Sequence, residues 1–148
     1  MSPVGDPLVF PSVRWFRALQ QLVNEDAEFR RLGTVDARMG VKVGPKVFVI
    51  VFEGFECVDV KEGSEGDLDD LDFYLELSEI DWRELVENTK ANNGADRQHT
   101  LNTLDLTKED GLSQNATGDQ LRGDVFFRVN ESLQYFFDLS AQIDTVFE

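Results

Sequence analysis

Lys46 to Glu53 (KVFVIVFE) constrains the fold more than any other stretch of this chain. Valine, isoleucine and phenylalanine occupy both parities, so a strand here has no polar face to turn to water. Such a strand is central, with cover on each side, or it has cover on one side and a ligand on the other. Gly44-Pro45 before it and Gly54 after it are turn signals. Upstream, Val35, Ala37, Met39, Val41 and Val43 alternate with Asp36, Arg38, Gly40 and Lys42, which predicts a half-buried strand. Downstream, Phe55 to Lys61 (FECVDVK) predicts a third. The turns between them are short, so the three are expected to pair as an antiparallel meander.

Helical spacing appears on either side. Trp15, Phe16, Leu19, Leu22 and Val23 behind Ser12 predict an amphipathic helix over 12–23. Asn24 is expected to cap a short second turn, EDAEFRRL, ended by Gly33. Leu71, Phe73, Leu75 and Leu77 alternate as a fourth strand. Ser78 and Asp81 then form a capping-box pattern for a helix through Trp82, Leu85, Val86 and Thr89 that stops at Asn92-Asn93-Gly94. One further strand is expected at Thr100 to Leu106 (TLNTLDL).

The stretch Leu121 to Phe137 (LRGDVFFRVNESLQYFF) carries four phenylalanines. At 100° per residue, Val125, Phe126, Val129, Leu133, Phe136 and Phe137 fall within an arc of about 120°, one coherent helix face, with Asp124 as its expected N-cap. Phe127 and Tyr135 fall outside that arc. Their rings would serve a packed helix end, a dimer contact or the wall of a cavity. The element order predicts an α+β fold with helices over one face of a mainly antiparallel sheet. If the helices leave the sheet's concave face unfilled, an apolar hollow remains.

With 148 residues, 41% of them apolar, residues 1–148 are expected to form one domain with a sizeable core. The formal charge of −15, from 29 acidic against 14 basic side chains, excludes nucleic acid as an expected partner and disfavours anionic membrane surfaces. Cys57 is the sole cysteine, so neither a disulfide within the chain nor a cysteine zinc site is expected. The N-terminus lacks the pattern of a signal peptide, and Val47 to Phe52 is too short an apolar run to span a bilayer. A cytoplasmic location without stable membrane insertion is the expectation.

Chemistry-bearing residues are sparse. His99, the sole histidine, lies in the polar stretch NGADRQHTLN and reads as a surface imidazole. Asp67, Asp69, Asp70 and Asp72 crowd the loop EGSEGDLDDLD, but a calcium loop begun at Asp67 needs Gly and Glu where Asp72 and Ser78 stand. A solvated loop without metal is expected. Asn115-Ala116-Thr117 and Arg122-Gly123-Asp124 match short motifs without the context that would give them meaning. No enzyme activity and no cofactor are expected.

The run LDFYLELSEIDWRELV, a strand leading into a helix with an acidic-Trp start, resembles the matching element of sterol-carrier-protein-2-like domains. NEDAEFR, KVFVIVFEG and GDVFFRV agree with that family in place and kind, and the resemblance covers most of the chain. It implies a five-stranded sheet with helices over one face and, between them, a tunnel for sterols, fatty acids or acyl-CoA. One departure is the segment Thr107 to Leu121, which intervenes between the expected fifth strand and the last helix. The strong negative charge points away from CoA phosphates toward a less polar ligand. Phe48, Phe52, Phe73, Trp82, Phe126, Phe127, Phe136 and Phe137 are the candidate ligand-binding residues. The leading expectation is a non-catalytic carrier of a hydrophobic small molecule or lipid. The alternatives are an interaction module or homodimer that uses the surplus rings as interface, and a small enzyme acting on an apolar substrate.

Overall fold

Residues 7–107, 111–118 and 124–147 are described by a computed structural model of the chain. The element order is β1 (Leu8–Phe10), α1 (Val13–Asn24), α2 (Ala27–Arg31), β2 (Ala37–Val43), β3 (Lys46–Glu53), β4 (Glu56–Gly63), a 3-10 segment (Glu65–Asp70), β5 (Phe73–Leu77), α3 (Glu79–Asn92), α4 (Leu101–Thr107), β6 (Ser113–Gln114), α5 (Val125–Asp138), a second 3-10 turn (Leu139–Gln142) and β7 (Thr145–Phe147). The main sheet has the order β4-β3-β2-β5-β6. The meander β2-β3-β4 is antiparallel as its turns require, β6 is antiparallel to β5, and β5 runs parallel to β2. This is an α+β fold with a mixed sheet. A separate parallel ribbon pairs β1 with β7.

The parallel pairing of β5 with β2 forces the chain leaving β4 to cross the sheet. The crossover lies on the face away from the α-helices and carries Leu68 and Leu71, which bury Val47 and Val49 beneath them. Two glycines permit this close approach. A Cβ on Gly40 would stand 2.9 Å from both Leu71 Cδ1 and Tyr74 Cβ, and one on Gly63 would stand 2.9 Å from Val49 Cγ2. Lys42, on the same face, reaches Glu65 of the crossover at 2.8 Å and Glu76 of β5 at 3.4 Å. So the two-faced apolar run of β3 is covered on both sides by the protein itself. The acidic loop is a structured cover: Ser64 and Asp67 form a reciprocal capping box at its start.

The other face of the sheet meets α1, α3 and α5 over one continuous core. α1 begins where expected, with Ser12 Oγ accepting from the Trp15 amide at 3.1 Å. Its polar side lies along edge strand β4, where Gln20 Nε2 and Asn24 Nδ2 both donate to the Cys57 carbonyl at 2.9 Å. Asn24 Oδ1 accepts from the Cys57 amide at 2.7 Å. Asn24 therefore does not cap α2. That role falls to Asp26, whose Oδ1 accepts from the Glu28 and Phe29 amides.

Three further expectations change. TLNTLDL is helix α4, with Thr100 Oγ1 accepting from the Thr103 amide, and not a strand. The fifth strand is instead Ser113–Gln114, inside the segment read as an insertion. Asp124 precedes α5 but makes no side-chain cap bond. Ser78 and Asn93 bound α3 as expected, Asn93 in the left-handed conformation at φ 54°.

Candidate functional site

Seven of the eight candidate residues converge between the sheet and the helices. Phe48, Phe52 and Phe73 point inward from β3 and β5, while Trp82 comes from α3 and Phe126, Phe136 and Phe137 come from α5, all buried. Phe52 meets Phe136 edge-on with ring centroids 5.2 Å apart, and Phe136 meets Phe137 at 5.3 Å. Trp82 lies 5.9 Å from Phe137, and Phe73 lies 5.6 Å from Phe126. These separations are the preferred ones for packed aromatic pairs. The eighth residue, Phe127, is 59% exposed, its ring 5.2 Å from that of Phe126. The arc drawn from the sequence separates the two neighbours correctly.

The layer extends beyond the named residues. Phe16 of α1 packs on Phe48 at 4.9 Å, Phe29 of α2 lies 6.1 Å from Phe52, and Phe10 meets Trp15 at 4.7 Å. The signal for Phe16 was its place in the α1 stripe. Both tryptophan N–H groups are satisfied internally, Trp82 by the Lys42 carbonyl at 2.8 Å and Trp15 by Thr145 Oγ1 at 3.0 Å. Tyr135, outside the arc, donates from its hydroxyl to both Asp26 oxygens at 2.9 and 3.0 Å. Burial and then the Asp26 carboxylate push its phenol up to about 12. Among the described residues no buried side-chain nitrogen or oxygen lacks a partner. The layer is therefore hydrocarbon and ring surface with no polar group held in reserve.

Two clefts open at its margins. One, of about 150 Å³, lies where the start of α3 meets the β2–β3 turn and the β1–β7 ribbon. The other, of about 520 Å³, opens across the outer sheet face past the end of the crossover, with Val51 and Val58 set among Asp36, Arg38, Asp59 and Asp72. None of the eight candidate residues lines the first cleft, although Phe10 of the extended layer does, and Phe52 alone of the candidates borders the second.

His99 and Cys57 are both engaged within the fold. His99 Nδ1 lies 2.7 Å from Asp96 Oδ1 and its Nε2 lies 2.7 Å from Glu84 Oε2. Its hydrogen bond to Asp96, followed by that to Glu84, raises its pKa against the opposing effect of burial. Two carboxylates facing the ring nitrogens favour the cationic imidazole, a form with no free lone pair for a substrate proton. The Cys57 thiol is buried, and burial pushes it up to about 12, far from a reactive thiolate. Among the described residues no group of three His, Cys, Asp or Glu side chains is placed to hold a metal ion, and no helix is long and apolar enough to cross a membrane.

No family model matches the sequence, and no curated protein matches it. A solved structure does match in fold. It is the solution structure of a conserved hypothetical protein from Thermus thermophilus for which the role of sterol carrier protein is suggested. The TM-score is 0.58 at 17% sequence identity, over 88% of this chain and 88% of that one. The likeness is one of fold, and it spans nearly the whole sheet-and-helix arrangement.

Proposed function

We propose that this chain is a non-catalytic binding or carrier domain for a hydrophobic small molecule, a sterol, fatty acid or related lipid, taken up between α5 and the sheet. The observation that carries this reading is the aromatic layer itself, a set of apolar side chains brought together between the helices and the sheet. Pockets for small ligands are mostly apolar with a few polar groups fixing orientation. Here any polar end of the ligand would sit at the margin of the layer. The shared fold with the Thermus thermophilus protein supports the same reading. The described rings are in mutual contact, so uptake has to part α5 from the sheet and exchange ring-on-ring contacts for ring-on-lipid contacts. Apolar burial of about 25 cal/mol per Å² on the ligand supplies the compensating free energy.

The test is direct. Organic extraction of the purified protein followed by mass spectrometry is expected to yield a lipid, and the protein's tryptophan emission is expected to be quenched on titration with a fluorescent fatty acid. Trp82, against Phe137, reports from within the layer. A ligand that binds only the native state stabilises it by about 2.7 kcal/mol at a hundredfold excess over Kd. A saturating lipid panel that leaves both tryptophan emission and melting temperature unchanged refutes the proposal.

A second reading, an interaction or dimerisation module, is favoured by Phe127, exposed on α5. Sizing chromatography separates the two: a dimer that Phe127→Ser dissociates speaks for interface.

A further inference from the structure

The 150 Å³ cleft has a chemistry unlike the rest of the surface. Its floor is Phe10 and Val43, both buried, with Phe147 on one wall and Ile80 on the rim, 79% exposed. In a chain with twice as many acids as bases, this cleft is lined by two cations, Lys46 and Arg83, and one carboxylate, Glu79. The Glu79 side chain is folded over the β2–β3 turn, its Cγ and Oε1 both 2.9 Å from where a Cβ on Gly44 would stand.

Arg83 is the informative side chain. Its guanidinium carbon lies 4.7 Å from the centroid of the Phe147 ring. Phe147 is itself braced edge-on by Phe10 at 6.1 Å. A guanidinium held over a ring satisfies one face by cation–π attraction and keeps its in-plane N–H edge for hydrogen bonding, the geometry that takes a carboxylate by two parallel bonds. Glu87, one helical turn along α3, stands 3.6 Å from Arg83 Nε, longer than a charge-assisted hydrogen bond. That contact leaves the terminal nitrogens for another acceptor.

We propose that this cleft binds a small carboxylic acid bearing one benzene-sized apolar group, the carboxylate on Arg83 and the apolar group against Phe10, Val43, Ile80 and Phe147. Size sets the upper limit: an apolar cavity of about 150 Å³ accommodates benzene. Charge sets the sign at Arg83, since an amine there would meet the guanidinium. The ligand could be a free short acid or the carboxyl end of a longer fatty acid whose tail leaves the cleft. The one-ring volume favours the short acid. The cleft is lined by none of the eight candidate residues of the layer beneath α5, so either proposal can fail alone.

The probe is phenylacetate, titrated to about 20 mM, within the weak-binding range of a one-ring ligand, into the uniformly ¹⁵N-labelled full chain. Saturable amide shifts are expected at Ile80, Arg83 and Phe147. Benzyl alcohol, of similar size without charge, is expected to bind at least tenfold more weakly, as is phenylacetate to Arg83→Met. The Arg83→Met spectrum, otherwise unchanged, shows that this variant is folded. Octanoate distinguishes the sources. Shifts confined to the cleft support the short acid, whereas shifts that spread to Phe126 and Phe136 overturn that assignment in favour of a fatty acid. Absence of saturable shifts at these amides, equal binding of benzyl alcohol, or undiminished binding to Arg83→Met overturns the site.

Discussion

His99 contributes to stability in one protonation state only. Glu84 and Asp96 both favour the cation, and the imidazole pKa is raised in the folded chain. Its contribution is therefore complete below the unfolded value, about 6.5, and is lost as pH rises through the folded value. Asp96, lowered first by its hydrogen bond to His99 and then by that to Asn88, behaves oppositely. What it adds is present above about 3.9 and disappears as pH falls through its folded value. Urea midpoints are expected to decline as pH rises from about 6.5, and His99→Gln is expected to flatten that decline. A decline unchanged in the variant would remove His99 as its cause. Cys57 makes a second expectation: with its thiol pushed up to about 12, it should react with a disulfide reagent at about pH 8 only at the rate of unfolding. Rapid labelling of the folded chain would contradict its burial. Why Asp26 and not Asn24 caps α2 was beyond the sequence, since both are good caps. The choice follows from backbone: Asn24 is the last residue of α1, while Asp26 is extended at φ −98°, ψ 121°.

Elements with strong periodicity were legible, and those stabilised by distant partners were not. β3 was readable to its ends because no amphipathic alternative fits eight apolar-rich residues. TLNTLDL misled because Leu104 and Leu106 mimic alternation. In α4 the buried residues are Leu101 and Leu104, a helical spacing, and Leu106 is 76% exposed. Thr100, three before Thr103, was the overlooked cap. The crossover was opaque for another reason: its two leucines sit among acids, and their burial depends on glycines from β2 and β4. That dependence gives a test. Gly40→Ala would press a methyl into Leu71 and Tyr74 and is expected to cost about 1–3 kcal/mol, seen as a lower urea midpoint with an unchanged slope. A neutral effect would mean that the crossover is not seated as described.

Across the whole molecule, hydrophobic pattern located the aromatic layer and named most of its members, because burial of large rings dominates the energetics of any core of this size. Pattern could not tell rings that pack on one another from rings that wait for a guest, since both demand the same inward faces. The marginal cleft was invisible for a related reason: Phe10, Ile80, Arg83 and Phe147 come from three elements far apart in the chain. Phe136→Ala removes a ring packed against Phe52 and Phe137 and is expected to cost about 3–5 kcal/mol. Phe127→Ser is expected to stay within about 0.5 kcal/mol. Thermal and urea unfolding of the pair would check the contrast, and similar losses for both would show that Phe127 is more enclosed than its exposure indicates.

The side-chain amides of Gln20 and Asn24 occupy the Cys57 backbone on the outermost strand of the meander. A neighbouring chain seeking to extend the sheet past β4 would find those peptide groups already spoken for and a helix lying in its path. Ladder-like pairing between folded copies, the mode that leads to fibrils, is thus blocked at Cys57, where those amides already hold the strand.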